Sequence, residues 1–95
     1  MIKHIVSFKF KNSSKDKIDL VKKALENLPA YISEIKLLEV GINVSKSELA
    51  YDLVLVSEFD DLEALEVYRI HPKHQDVLNL INKYKSTSMV VDYNM

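Results

Sequence analysis

The segment "AYDLVLVSEF", Ala50 to Phe59, sets the hardest condition on how this chain folds. Leu53, Val54, Leu55 and Val56 follow one another, so as a strand the segment is apolar on both faces. Such a strand must be covered on both faces. The chain has 95 residues, enough for one domain (1–95) with a modest core. The question is what lies over each face.

Other segments supply candidate layers. "IKHIVSFKF" alternates: Ile2, His4, Val6, Phe8 and Phe10 point one way, and Lys3, Ile5, Ser7 and Lys9 the other. His4 is the polar exception on the apolar side. "EIKLLEVGINVS" predicts a second strand with Lys36, Leu38, Val40, Ile42 and Val44 on one face. Gly41, the only glycine, predicts a bulge or the close approach of another backbone. "SKSE" is a turn and "STSMVVDY" a last strand.

Two stretches have helical spacing. Ser13, followed by Asp16, predicts a helix start capped by a hydroxyl. Ile18, Val21, Leu25 and Leu28 then recur on one face, and Pro29 ends the run. In "DDLEALEVYRI", Asp60 and Glu63 have capping-box spacing, and Leu65 and Tyr68 share a face. "HP" breaks this helix, because proline disfavours helix in the residue before it. Pro72 fits the first turn of a new helix. There His74, Val77, Leu78 and Ile81 form the apolar stripe.

The predicted order is β-α-β-β-α-α-β. This is an α+β fold of the ferredoxin-like kind, with a four-stranded antiparallel sheet and a second helix broken in two. Helices cover one face of the sheet only. The other face keeps Ile5 and one side of the doubly apolar strand, an exposed patch of the kind that marks an interface. The expectation is a homodimer packed sheet to sheet.

Composition excludes several functions. Thirteen Lys and Arg against fourteen Asp and Glu leave no concentrated basic face for nucleic acid. There is no cysteine, so thiolate chemistry, disulfides and iron–sulfur clusters are ruled out. One glycine cannot make a phosphate-cradling loop. The longest apolar run is too short to span a membrane, and no leader is legible. The expected compartment is the cytoplasm, with neither nucleic acid nor membrane as partner.

The chemistry concentrates in "EVYRIHPKHQDV", which holds two of the three histidines and the only arginine. Tyr68 and His74 lie on the inner faces of consecutive helices, and His4 on the inner face of the first strand. All three can point into the space between helices and sheet. A desolvated imidazole there has a lowered pKa and acts as a neutral base, and a neighbouring phenol can donate to an oxyanion. A histidine on an apolar face is more often a hydrogen-bonded core residue than a catalyst. Convergence favours function here, because every histidine lies in or beside one pocket. His71, just before Pro72, reads as a cap or junction. The pair His71-x-x-His74 lacks an HExxH pattern and a third ligand nearby, so no metal is predicted.

The "KHIV" start, the central "Y-x-x-HP-x-H" and the closing "DY" together resemble the stress-responsive A/B barrel family, or dimeric α/β barrel (Dabb) proteins. The resemblance covers nearly the whole chain and is more specific to fold than to reaction. It implies a ferredoxin-like subunit in a barrel-forming dimer. Through olivetolic acid cyclase-type members, it also implies cofactor-free aldol ring closure. In that setting His74 is the base and Tyr68 orients or stabilises the carbonyl oxygen. His4 and His71 lie in or beside the same pocket, with Val6 and Phe8 as generic apolar lining. The implied ligand is a small, partly apolar carbonyl or phenolic compound, and no cofactor is called for. A non-catalytic ligand-sensing dimer and a cofactor-free monooxygenase remain open as readings.

Overall fold

Alternation makes "IKHIVSFKF" the sheet's central strand, β1 (Ile2–Phe10), in a computed structural model that describes residues 1–12 and 14–95. β1 pairs antiparallel with both β3 (Leu53–Phe59) and β4 (Lys85–Asn94). β2 (Leu37–Ile42) pairs with β3, giving the order β2-β3-β1-β4. The helices are α1 (Lys15–Glu26), α2 (Leu62–Ile70) and α3 (Pro72–Tyr84), with a 3-10 turn at Leu28–Ala30. The element order is the one predicted, and the fold is ferredoxin-like. No helix of the described residues is long and apolar enough to cross a membrane.

Register sorts the side chains. Val6 lies opposite Leu55 on one side and Val90 on the other; Phe8 lies opposite Leu53 and Ser88. Ile2, Val6, Phe8 and Phe10 are buried, as are Leu53, Leu55 and Phe59 on β3. Ile18, Val21 and Leu25 of α1 and Val77 and Ile81 of α3 complete this core. Each such side chain stabilises the fold by about 1.5–3 kcal/mol when fully removed from water. On the opposite face, Ile5 lies between Val56 and Val91, and Ser7 between Val54 and Met89. Val91 and Met89 are 59% and 54% exposed there. The doubly apolar strand thus has one face covered by helices and one left open.

Several local expectations need correction. β2 stops at Ile42, so Lys36 and Val44 fall outside it, and Val44 is 96% exposed. The Asn43 side chain bonds the Ser45 backbone in both directions (2.8 and 3.2 Å) and turns the chain away. Gly41 marks no bulge: it pairs regularly with Val54, and a Cβ there would meet Val54 Cγ1 at 3.3 Å. The close approach is by a side chain. Helix α1 ends at Glu26, ahead of Pro29, which sits inside the 3-10 turn. Ser13 lies outside the described residues. The final strand is longer than expected and starts directly after α3.

The cap of α2 also shifts by one residue. Asp61, not Asp60, accepts from the Ala64 N–H at 2.9 Å. Asp60 instead faces Lys36 Nζ across 3.6 Å, in an exposed pair. Asp61→Ala should therefore cost about 1 kcal/mol in urea denaturation, the usual loss of an N-cap. Asp60→Ala should cost clearly less, since exposed pairs contribute little. Equal losses would contradict the assignment.

Candidate functional site: a proline corner over the central strand

The site begins with one backbone restriction. Pro72 pushes His71 into extended geometry (φ −61°, ψ 136°), which ends α2. Pro72 then opens α3, and His71 Nδ1 accepts from the Lys73 N–H at 3.1 Å. The corner brings the last turn of α2 against the first turn of α3. Tyr68 and His74 meet there with ring centroids 4.2 Å apart and planes inclined by 38°.

His74 is fixed by the helix end it follows. Its Nδ1 lies 2.9 Å from the carbonyl oxygen of Arg69, one of the carbonyls a helix C-terminus leaves unpaired. A carbonyl only accepts, so Nδ1 carries the proton and Nε2 of the neutral ring keeps its lone pair. His74 is 8% exposed. Burial holds its pKa below the ordinary histidine value; the Arg69 carbonyl opposes this, and the charges of His4, Arg69 and His71 add to the lowering.

Tyr68 is 1% exposed, and its hydroxyl has no hydrogen-bond partner among the described residues. Burial pushes its pKa up, so the phenol stays protonated and available as a donor. His4 stands beside it, with centroids 5.9 Å apart, and Phe59 packs against both rings. His4 lies opposite Asp92 in the β1–β4 register, and its Nδ1 is hydrogen-bonded to Asp92 Oδ1. The carboxylate accepts, which fixes the His4 tautomer and ring orientation.

These groups border a cleft of ≈ 300 Å³ between β1, α2, α3 and β4. Other surface depressions, of ≈ 260, 330 and 410 Å³, are comparable in size, so volume does not single this one out. What does is the convergence of His4, Tyr68 and His74 on a lining that is apolar in its majority. Of the residues expected from sequence, His4, Val6, Phe8, Tyr68 and His74 all line the cleft. His71 does not: its ring is engaged in capping α3. Sequence reasoning missed Asp92 and the Arg69 carbonyl. Asp92 had a signal, since it continues the Ser88, Val90 alternation on a strand that pairs with β1.

Comparison with known proteins agrees with this architecture. The family profile described as "Stress responsive A/B Barrel Domain" matches residues 2–95. An uncharacterized protein of Streptomyces coelicolor is 30% identical over 96 residues, which is 98% of each chain. A dimeric protein of unknown function with a ferredoxin-like fold, from Bacteroides fragilis, is 35% identical with a TM-score of 0.87, covering 99% of this chain and 95% of its own. The hydroxynitrile lyase of Passiflora edulis superposes with a TM-score of 0.87 over 99% of this chain and 92% of its own. At 17% identity that likeness concerns the fold alone.

The lowered pKa of His74 has a signed consequence for stability. As pH falls below about 6.5, the unfolded chain takes up a proton at this position before the folded one does. Stability contributed by the neutral, buried ring is present above that pH. It is lost as pH falls from the unfolded value towards the lower folded one. Denaturation midpoints at pH 8 and pH 5 should therefore differ more for the wild type than for His74→Gln. An equal acid-induced loss in both would show that His74 is not responsible.

Proposed function

The chain belongs to the stress responsive A/B barrel domain family, and from that premise we propose that its cleft binds a small, partly apolar carbonyl or phenolic compound and acts on it by cofactor-free general acid–base chemistry. One observation carries this reading: the Tyr68 hydroxyl is buried beside a neutral imidazole and has no partner among the described residues. Leaving such a donor unpaired costs about 1–3 kcal/mol. A ligand carbonyl oxygen at that point would remove the penalty.

The roles follow from the hydrogen bonds. His74, protonated at Nδ1, offers Nε2 as the base that takes a proton from the carbon next to the carbonyl. Negative charge then develops on the carbonyl oxygen, where Tyr68 donates. His4, held by Asp92, orients the Tyr68 side of the site. Val6 and Phe8 contact the apolar part of the ligand. His71 acts at one remove, by setting the corner. Cyclase-like and lyase-like reactions both begin with such steps, and a shared fold does not choose between them.

A second reading has its own support. The bond from His74 to the Arg69 carbonyl also pins α2 to α3, which is a structural task. On that reading the cleft binds a ligand without turning it over. Deuterium exchange next to the carbonyl of decan-2-one, followed by NMR in heavy water, separates the two. The catalytic reading expects exchange that His74→Gln and Tyr68→Phe each slow by roughly a hundredfold. Binding seen by thermal shift, with exchange no faster than in buffer, would favour the sensing role.

We also propose that two copies pair through the open sheet face, in line with the dimeric Bacteroides fragilis relative. The row Val56–Ile5–Val91 lies at the middle of that face. Val56→Glu would bury a carboxylate at the centre of the contact. Light scattering should then give a dimer for the wild type and a monomer for the variant. A wild-type monomer at micromolar concentration would refute the pairing.

A further inference from the structure

The cleft is not uniform along its length. At one end lie His4, Tyr68, His74 and Asp92; at the other lie Lys85 and Ser88. Lys85 Nζ donates to Ser88 Oγ at 3.3 Å, so the lysine is turned along the strand towards the cleft. Strand rise of roughly 3.3 Å per residue puts Ser88 about 13 Å from Asp92 along β4. Between them the lining is apolar, with Val6, Phe8, Leu55 and Val90.

The charge of Lys85 has no counterpart nearby. Lys3, Lys22 and Lys36 each face a carboxylate, and Arg69, the other cation at this cleft, is held by both oxygens of Glu66 at 2.7 and 2.8 Å. Asp92, the acid lining the cleft, is engaged with His4. Among the described residues no carboxylate lies within ion-pair distance of Lys85. Ser88 Oγ accepts from the lysine and so keeps its own O–H to donate. An ammonium and a hydroxyl side by side match the two oxygens of a carboxylate.

We propose that Lys85 and Ser88 form a carboxylate clamp, so that the cleft takes an amphipathic keto acid with its carbonyl at the His74–Tyr68 end and its carboxylate at the Lys85 end. The clamp rests on the reading of the cleft as a carbonyl-binding site and adds the ligand's second pole. It also sets a length, since an apolar chain of roughly 10 Å must separate the two groups, somewhat less than the span along β4.

Lys85 has a duller task available: it caps the C-terminus of α3, where a cation offsets the helix dipole. That task affects stability but not the choice between ligands, so the test is a ratio of affinities. The probes are the decanoate with a ketone on its penultimate carbon and decan-2-one, which differ only by carboxylate against methyl. Calorimetry at low salt should show the keto acid binding the wild type about tenfold more tightly, a difference of about 1.4 kcal/mol. Lys85→Met keeps the apolar stem and should erase that preference while leaving decan-2-one affinity unchanged. Ser88→Ala should reduce the preference by a smaller factor, and added salt should shrink it in the wild type. If decan-2-one binds and the keto acid binds no better, the clamp is wrong and the carbonyl site stands. If Lys85→Met retains the preference, the clamp is equally wrong. If neither ketone binds, both readings fall together.

Discussion

The pairing of β1 on both sides is the constraint from which the rest follows. A strand alternates its side chains with period two, so one register decides which residues meet the helices. In the observed register His4, Val6 and Phe8 face the helices, with Asp92, Val90 and Ser88 beside them on β4. A slip of one residue would put Lys3, Ile5 and Ser7 there and send the histidine outward. The apolar residues hold the register, because Val6, Phe8 and Phe10 lose their burial if it moves. The hydrophobic core thus fixes where the imidazole stands and which carboxylate it meets.

The second constraint is the proline corner. A continuous helix from Leu62 to Tyr84 would have no exposed carbonyls in its middle and no free N–H groups. Breaking it at His71 creates both. His71 serves one of the new ends, through the Lys73 N–H, and His74 serves the other, through the Arg69 carbonyl. The same bond sets the tautomer of His74, and burial keeps the ring neutral. Tyr68 is then the group left over, a buried donor without a protein acceptor. Helix termination therefore sets a hydrogen-bonded imidazole and an unpartnered phenol side by side.

Much of this was legible in the sequence, for a physical reason. Periodicity is a local property, so the alternation of Ile2 to Phe10 and the spacing of His74, Val77 and Ile81 marked the inner faces. Proline's effect on the preceding residue is also local, so the corner was readable. Partners distant in sequence were not. Asp92 meets His4 only through a strand register, and pattern within one segment does not state register. The cap at Asp61 was misplaced because two adjacent aspartates offer the same chemistry, and the start of the helix chose between them. Gly41 was misread because a missing side chain does not say whether backbone or side chain occupies the space. Ser88 was placed on the last strand, but Lys85 fell between the last helix and that strand, and only the direct start of β4 after α3 brings it to the cleft.

The helices cover one face of the sheet, and that asymmetry ties assembly to the cleft. Among the described residues β4 pairs with β1 alone, so its other edge is open. Ser88, Val90 and Asp92 line or border the cleft, while Met89, Val91 and Tyr93 stand on the opposite face, still 43–59% exposed. Both sets belong to one strand, and each fixes the other by alternation. A second copy seated on Met89 and Val91 would restrain β4 from behind, and with it the Asp92 carboxylate that orients His4. The apolar segment that first demanded cover on both faces thus asks for two different things. Its inner side, through Leu55, helps build the cleft; its outer side, at Val54 and Val56, belongs to the open face on which the proposed second copy would hold the cleft's edge strand in place.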